Sequence, residues 1–211
     1  MKTTLIPCLA LALAAPGLQA QSSPRFGFAL NLAFPTGEFR SKTYAATPDV
    51  LTPQTEGYDV GLGGQFTLSF PIDRGVALRL NFGGQVTNGS NTAPGYEKLD
   101  LQHSIFSIGG EFQFFVNGSA QRHRGTYFLM GPSADFERFD VGRHGDYDFH
   151  ADYSERKSRM GATFGIGHSF GAEASRFTFE AAFHKTLSGN DLAKGEPPSA
   201  DFVKVSFGWV F

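Results

Sequence analysis

The sequence predicts an all-β chain, an eight-stranded antiparallel up-and-down transmembrane β-barrel, and three observations carry that expectation. Large apolar side chains alternate with small or polar ones through about eight runs. The connections between runs are alternately long and short, as in barrels with short periplasmic turns and longer external loops. The last six residues, Ser206 to Phe211, set Phe207, Trp209 and Phe211 on one face of a strand and Ser206 and Gly208 on the other.

The first run, Pro24 to Phe34, places Phe26, Phe28, Leu30, Leu32 and Phe34 opposite Gly27, Ala29, Asn31 and Ala33. The second, Glu56 to Phe70, sets Tyr58, Val60, Leu62, Phe66, Leu68 and Phe70 against Asp59, Gly61, Gly63, Gln65, Thr67 and Ser69. In the third, Gly75 to Thr87, Val76, Leu78, Leu80 and Phe82 oppose Arg79, Asn81, Gly83 and Gln85. The fourth, Leu99 to Val116, has Phe106, Ile108, Phe112 and Phe114 on one side and Ser107, Gly109, Glu111 and Gln113 on the other. Alternation is weaker in the fifth, Gly125 to Arg138, and the sixth is Tyr153 to Phe170. The seventh, Arg176 to Leu187, turns Phe177, Phe179 and Phe183 away from Thr178, Glu180 and His184, and the eighth is Ala200 to Phe211.

A soluble barrel would hide its bulky rows and wet its polar ones. Here glycines, serines and charges oppose the phenylalanines, and small residues suit the inside of a narrow barrel. The expected arrangement therefore points the phenylalanines at lipid. A secreted soluble β-barrel is the competing reading, and extraction without detergent would distinguish it.

Met1 to Ala20 read as a secretory signal peptide: Lys2 supplies the charge, Leu5 to Ala15 the apolar core, and Pro16-Gly17 a break before Ala20. Residues 21–211 are then the barrel domain. That apolar core is too short to span a bilayer as a helix, which takes about 20 apolar residues. Cys8, the only cysteine, lies in the leader, so neither a disulfide framework nor a cysteine metal site is expected. Its early position also argues against lipidation. Removing Lys2 with the leader leaves 17 basic and 20 acidic residues, a formal charge of −3 without a basic block. Nucleic-acid binding finds no electrostatic support in that balance.

Val205, Phe207, Trp209 and Phe211 also resemble the aromatic C-terminal pattern of the small outer-membrane β-barrel families, the OmpA/OmpX-type and opacity-protein-like barrels. The resemblance spans about Gln21 to Phe211 and is one of pattern. It implies a cell outer-membrane location, contact with outer-membrane lipid and lipopolysaccharide, and delivery by the barrel assembly machinery through Phe207, Trp209 and Phe211. Such families include anchors, adhesins, small permeation proteins and a few lipid-modifying enzymes, so activity does not follow from fold.

The inward row contains Arg79, Glu111, Glu180 and Lys204. Strand adjacency couples Arg79 with Glu111 and Glu180 with Lys204, because a charge in a narrow lumen is costly unless paired. The expected result is an ionic network closing the lumen; a gated pore for small solutes is the alternative. A structural or adhesin-like role through external loops, possessing no enzymatic activity, is the leading expectation, with an unidentified surface ligand left open. Asp146, Asp148, His150 and Asp152 alternate in one hairpin, but hard cations need six or more oxygens, so no metal or other cofactor is expected. His103-Ser104 and His168-Ser169 pair a base with a nucleophile in sequence only, since adjacent strand residues face opposite ways. Lipid A deacylase barrels carry a histidine and serine two apart, a pattern from which this chain departs. Asn88-Gly89-Ser90 and Asn117-Gly118-Ser119 read as turn sequences rather than glycosylation sites.

Overall fold

A computed structural model describes residues 23–37, 58–91, 99–143, 151–172, 175–187 and 200–211. Eight strands form the wall: β1 (Arg25–Pro35), β2 (Gly61–Pro71), β3 (Val76–Asn91), β4 (Leu99–Ser119), β5 (Arg124–Arg143), β6 (Ala151–Ala172), β7 (Ser175–Thr186) and β8 (Phe202–Val210). Each pairs antiparallel with the next, and β1 pairs with β8. The result is a closed eight-stranded barrel, which has no edge along its paired length. Residues 1–22, including the expected leader, lie outside the described residues.

Period two governs the wall. Along β1 the side chains alternate exposed and buried without a break, and Phe26, Phe28, Leu30, Leu32 and Phe34 all face out. The same holds for Phe66, Phe82, Phe106, Phe112, Phe128, Phe164, Phe179 and Phe207. Phe66 is 72% exposed and Leu62 69%, whereas Arg79 is 4% and Glu180 2% exposed. The polar row is enclosed and the aromatic row is outside, as the alternation predicts.

Connections alternate as expected. Residues 72–75, 120–123 and 173–174 link strands at one end, and 36–60, 92–98, 144–150 and 187–201 at the other. The strands next to 92–98 and 144–150 run further than the sequence suggests. β3 continues to Asn91, β5 to Arg143, and β6 begins at Ala151. β4 has 21 residues and β6 has 22. At about 3.4 Å per residue and a tilt near 40°, such strands rise roughly 50 Å, twice the apolar band of about 25 Å in membrane barrels. β3 to β6 therefore stand above the other four as a curved sheet. Pairing of β6 with β7 begins at Gly161, and the β6 stretch above it carries Glu155, Arg156, Lys157 and Arg159. Charges there discourage edge-to-edge aggregation.

Two neighbouring side chains depart from the expected faces: Asp59, expected inside, is exposed, and Tyr58 is its counterpart. Tyr58 is buried inside, though simple alternation places it on the outward row with Val60 and Leu62. It forms an isolated bridge to Gly89 outside β2, so the period of that strand does not reach it.

Candidate functional site: the filled lumen

Three layers occupy the barrel interior. The lowest is a turn. Residues 120–123 fold across the mouth at the short-connection end, burying Ala120 and His123. Ala120 N donates to Arg74 O at 2.8 Å and Ser169 Oγ donates to His123 O at 2.5 Å. Arg25 Nη2 on β1 donates to Gln121 O at 3.4 Å, and Arg176 Nε on β7 donates to Arg122 O at 3.0 Å. The turn's carbonyls are thus held by arginines from across the barrel. His123 takes a positive φ of 45°, which a non-glycine residue adopts only where its surroundings impose it. Burial, and then the positive charge of Arg79, push its imidazole down to about 4, so it is neutral near pH 7.

The ionic layer lies above. Arg79 stands opposite Glu111 in the β3–β4 register, donating from Nε at 3.0 Å and from Nη2 at 2.6 Å to Glu111 Oε2. Its other face reaches across the lumen to Glu180, with Nη2 donating to Oε2 at 3.0 Å and Nη1 to Oε1. Tyr127 OH donates to the same Glu180 Oε1 at 2.5 Å. Arg79 and Glu111 pair as the strand order predicts. The Glu180–Lys204 couple does not form as a direct ion pair. Register places Ser206 opposite Glu180 and Ala182 opposite Lys204. Lys204 Nζ instead donates to Gln65 Oε1 at 2.8 Å.

Glycine on β6 makes the long reach of Tyr127 possible. Gly167 is the β6 residue between Tyr127 on β5 and Glu180 on β7. A Cβ there would stand 2.5 Å from Tyr127 Cζ. Gly161 serves the upper layer in the same way, since a Cβ would collide with Asp135 Oδ2 and stand 2.5 Å from His184 Cε1.

That upper layer is the part that strand-by-strand reading missed. His184 Nε2 lies 3.0 Å from Asp135 Oδ2, and Ser107 Oγ donates to Asp135 Oδ1 at 2.7 Å. His103 Nε2 and Arg159 Nη1 approach Glu137 Oε2 at 3.3 and 3.5 Å. Tyr58, Leu101, Ile105, Phe139 and Phe202 pack into an apolar cluster at this level, with His103 stacked on Phe139 and His184 on Phe202. Asp135 and His184 were visible as inward residues, but they sit two strands apart and meet only over Gly161.

Between the ionic and upper layers lies a cavity of about 50 Å³, lined by Asn31, Asn81, Gln85, Ser133 and Lys204 among others. Asn31 Oδ1, Asn81 Oδ1, Gln85 Nε2 and Ser133 Oγ are buried without a protein partner. A polar cavity of that size suits a few water molecules, which satisfy such groups.

Asp135, His184 and Thr163 form a carboxylate–imidazole–hydroxyl series, with Thr163 Oγ1 3.2 Å from His184 Nδ1. An activated hydroxyl requires this order. Thr163 and His184 line the polar cavity between the ionic layer and the apolar cluster. His184 Nε2 and Asp135 Oδ2 stand at ion-pair distance without making a hydrogen bond, so the carboxylate–imidazole link of such a relay is not made. The His-Ser doublets split across the wall: His103 and Ser169 point in, while His168 points out and meets Thr126 Oγ1 at 2.9 Å. Among the described residues no group of three or more His, Cys, Asp or Glu is placed to hold a metal. Asp146, Asp148 and His150 lie outside the described residues, and Asp152 lies in β6 with its side chain undescribed.

The final-strand aromatics form an outer cluster. Trp209 stacks on Phe28 at 5.0 Å between centroids and meets Phe207 and Phe177 edge-on at 5.1 and 5.5 Å. Phe211 N donates to Phe26 O at 2.7 Å, continuing the closure by one residue.

No family model and no curated protein matches the chain. Solved structures do resemble it. The attachment invasion locus protein Ail of Yersinia pestis is 14% identical, with 90% of this chain and 97% of that one covered and a TM-score of 0.40. A second structure of Ail, bound to the heparin analogue sucrose octasulfate, is 12% identical over the same shares, with a TM-score of 0.44. The N-terminal β-barrel domain of Pseudomonas aeruginosa OprF is 12% identical over 90% and 98%, with a TM-score of 0.37.

Proposed function

We propose that the chain is an integral outer-membrane barrel with a side-chain-filled lumen, and that it acts structurally or as an adhesin through its external connections. The observation that carries this reading is the apolar belt. Large exposed apolar side chains occur on all eight strands, while soluble monomers rarely expose a contiguous apolar patch beyond a few hundred Å². Hydrocarbon is the solvent that makes such a belt stable. The short connections then face the periplasm and the long ones the exterior. Residues 1–20 act as the secretory leader, and Phe207, Trp209 and Phe211 serve recognition by the assembly machinery.

A closed lumen follows from the floor turn, the ionic layer and the apolar cluster, each of which crosses the interior. Arg79, Glu111 and Glu180 form the ionic plug, with Lys204 beside the cavity above it. The protein then contributes wall, anchor and loop platform, and conducts no solute. Heat-modifiable migration of the full chain from purified outer membranes tests the reading. A folded barrel resists SDS until boiled; a single mobility before and after boiling, together with extraction free of detergent, would refute it. Planar-bilayer recording should show no conductance above the lipid background, and discrete openings would contradict the plug.

A further inference from the structure

The outer wall changes chemistry abruptly at the top of the apolar belt. Outward residues on β5 run Phe128, Met130, Ala134 and Phe136, then Arg138. On β6 they run Phe164 and Met160, then Ser158 and Arg156. Register sets Phe106 opposite Phe136, and one row higher it sets Arg138 directly opposite Arg156. Directly opposed residues have Cβ atoms about 5 Å apart, and like charges so placed are destabilising.

Among the described residues Asp140 pairs with Arg138, and no acid pairs with Arg156. Arg138 uses its Nε on Asp140 Oδ1 at 2.9 Å and on Ser154 Oγ at 3.3 Å, which orients the guanidinium and leaves both Nη groups uncommitted. Arg156 is exposed and makes no hydrogen bond or ion pair with the described residues. Ser104 stands opposite Arg138 on β4, and Ser154 and Ser158 flank Arg156 on the same face of β6. Two guanidinium groups ringed by hydroxyls suit a phosphate, which accepts several charge-assisted hydrogen bonds at once. The height agrees. Arg138 lies two residues beyond Phe136, about 7 Å along the strand, where hydrocarbon gives way to headgroups.

We propose that Arg138 and Arg156 form a clamp for the phosphate monoester of an outer-leaflet glycolipid whose acyl chains lie on Phe106, Phe136 and Met160 below. The assignment rests on the membrane reading above and names the lipid chemistry of that same surface. Opposed arginines are tolerated because the lipid supplies the missing negative charge.

Native mass spectrometry of the folded full chain in detergent tests this, with bisphosphorylated lipid A and its dephosphorylated counterpart as probes. Wild type is expected to bind the phosphorylated lipid at least tenfold more tightly. R156Q and R138Q/R156Q should lose most of that preference, since charged hydrogen bonds of this kind are worth tenfold or more each. R156Q is the cleaner variant, because Arg156 has no partner to lose among the described residues. Millimolar inorganic phosphate should not displace the lipid. An unchanged preference in both variants overturns the clamp, and full displacement by inorganic phosphate overturns the lipid as its occupant. Insertion into zwitterionic vesicles, scored by the gel shift, separates the two levels. Normal insertion without lipid preference sinks the clamp alone, whereas failure to insert sinks the membrane reading with it.

Discussion

Replacing Arg79 by methionine leaves Glu111 and Glu180 facing each other in the lumen with no cation between them. Arg79 makes four charge-assisted contacts to these carboxylates, two to each. Breaking a buried ion pair by removing one partner costs about 3–5 kcal/mol, mostly from the charge left behind. The triple variant R79M/E111Q/E180Q removes the charges together, and its cost should fall to within about 2 kcal/mol of wild type. Urea titration of the protein folded in lipid vesicles gives these values, read from Trp209 emission and from the unboiled gel band. A loss under about 1 kcal/mol for R79M would refute the ionic layer as a stabilising plug. So would a triple variant as unstable as the single one.

Two further perturbations probe the layers around it. The depressed His123 pKa has a definite sign: between pH 6.5 and 4 the unfolded chain binds a proton that the folded chain refuses. Stability from this group is therefore complete above the unfolded value and is lost as pH falls through that window, by about 3 kcal/mol. His123→Gln should flatten the pH dependence of the urea midpoint over that range, and an unchanged slope would remove His123 from the account. Gly167→Ala should cost about 1–3 kcal/mol by overpacking against the Tyr127 ring. The penalty should largely vanish in a Y127L background, and equal costs in both backgrounds would deny that Gly167 is the gap through which Tyr127 reaches Glu180.

Strand faces were legible because period two is imposed on every residue of a wall with lipid-like and enclosed sides. Phe28, Phe179 and Phe207 face out, and Arg79 and Glu180 are buried, as alternation alone demands. Strand ends were not, because the strands continue above the belt, where residues such as Asn88 on β3 and Asp140 on β5 are polar and carry no apolar alternation. Tyr58 escaped for a related reason, as it lies beyond β2 in an isolated bridge with its own orientation.

The ionic layer was half legible. Arg79 and Glu111 are register partners on adjacent strands, so sequence order brings them together. Glu180 reaches Arg79 across the barrel, and that distance depends on closure and shear rather than on neighbouring strands. Lys204 turns to Gln65 because its register partner on β7 is Ala182. The Asp135–His184 contact needs a glycine on the intervening strand. Its signal was present as Gly161, but only the stagger of three strands shows which side chains that gap admits.

Trp209, the only tryptophan, reports most directly on what surrounds the aromatic wall. Reconstituted into vesicles with brominated acyl chains, its fluorescence should be strongly quenched, while an aqueous quencher such as acrylamide has little effect. Emission insensitive to bromine yet readily quenched from water would mean that the phenylalanines do not look into hydrocarbon.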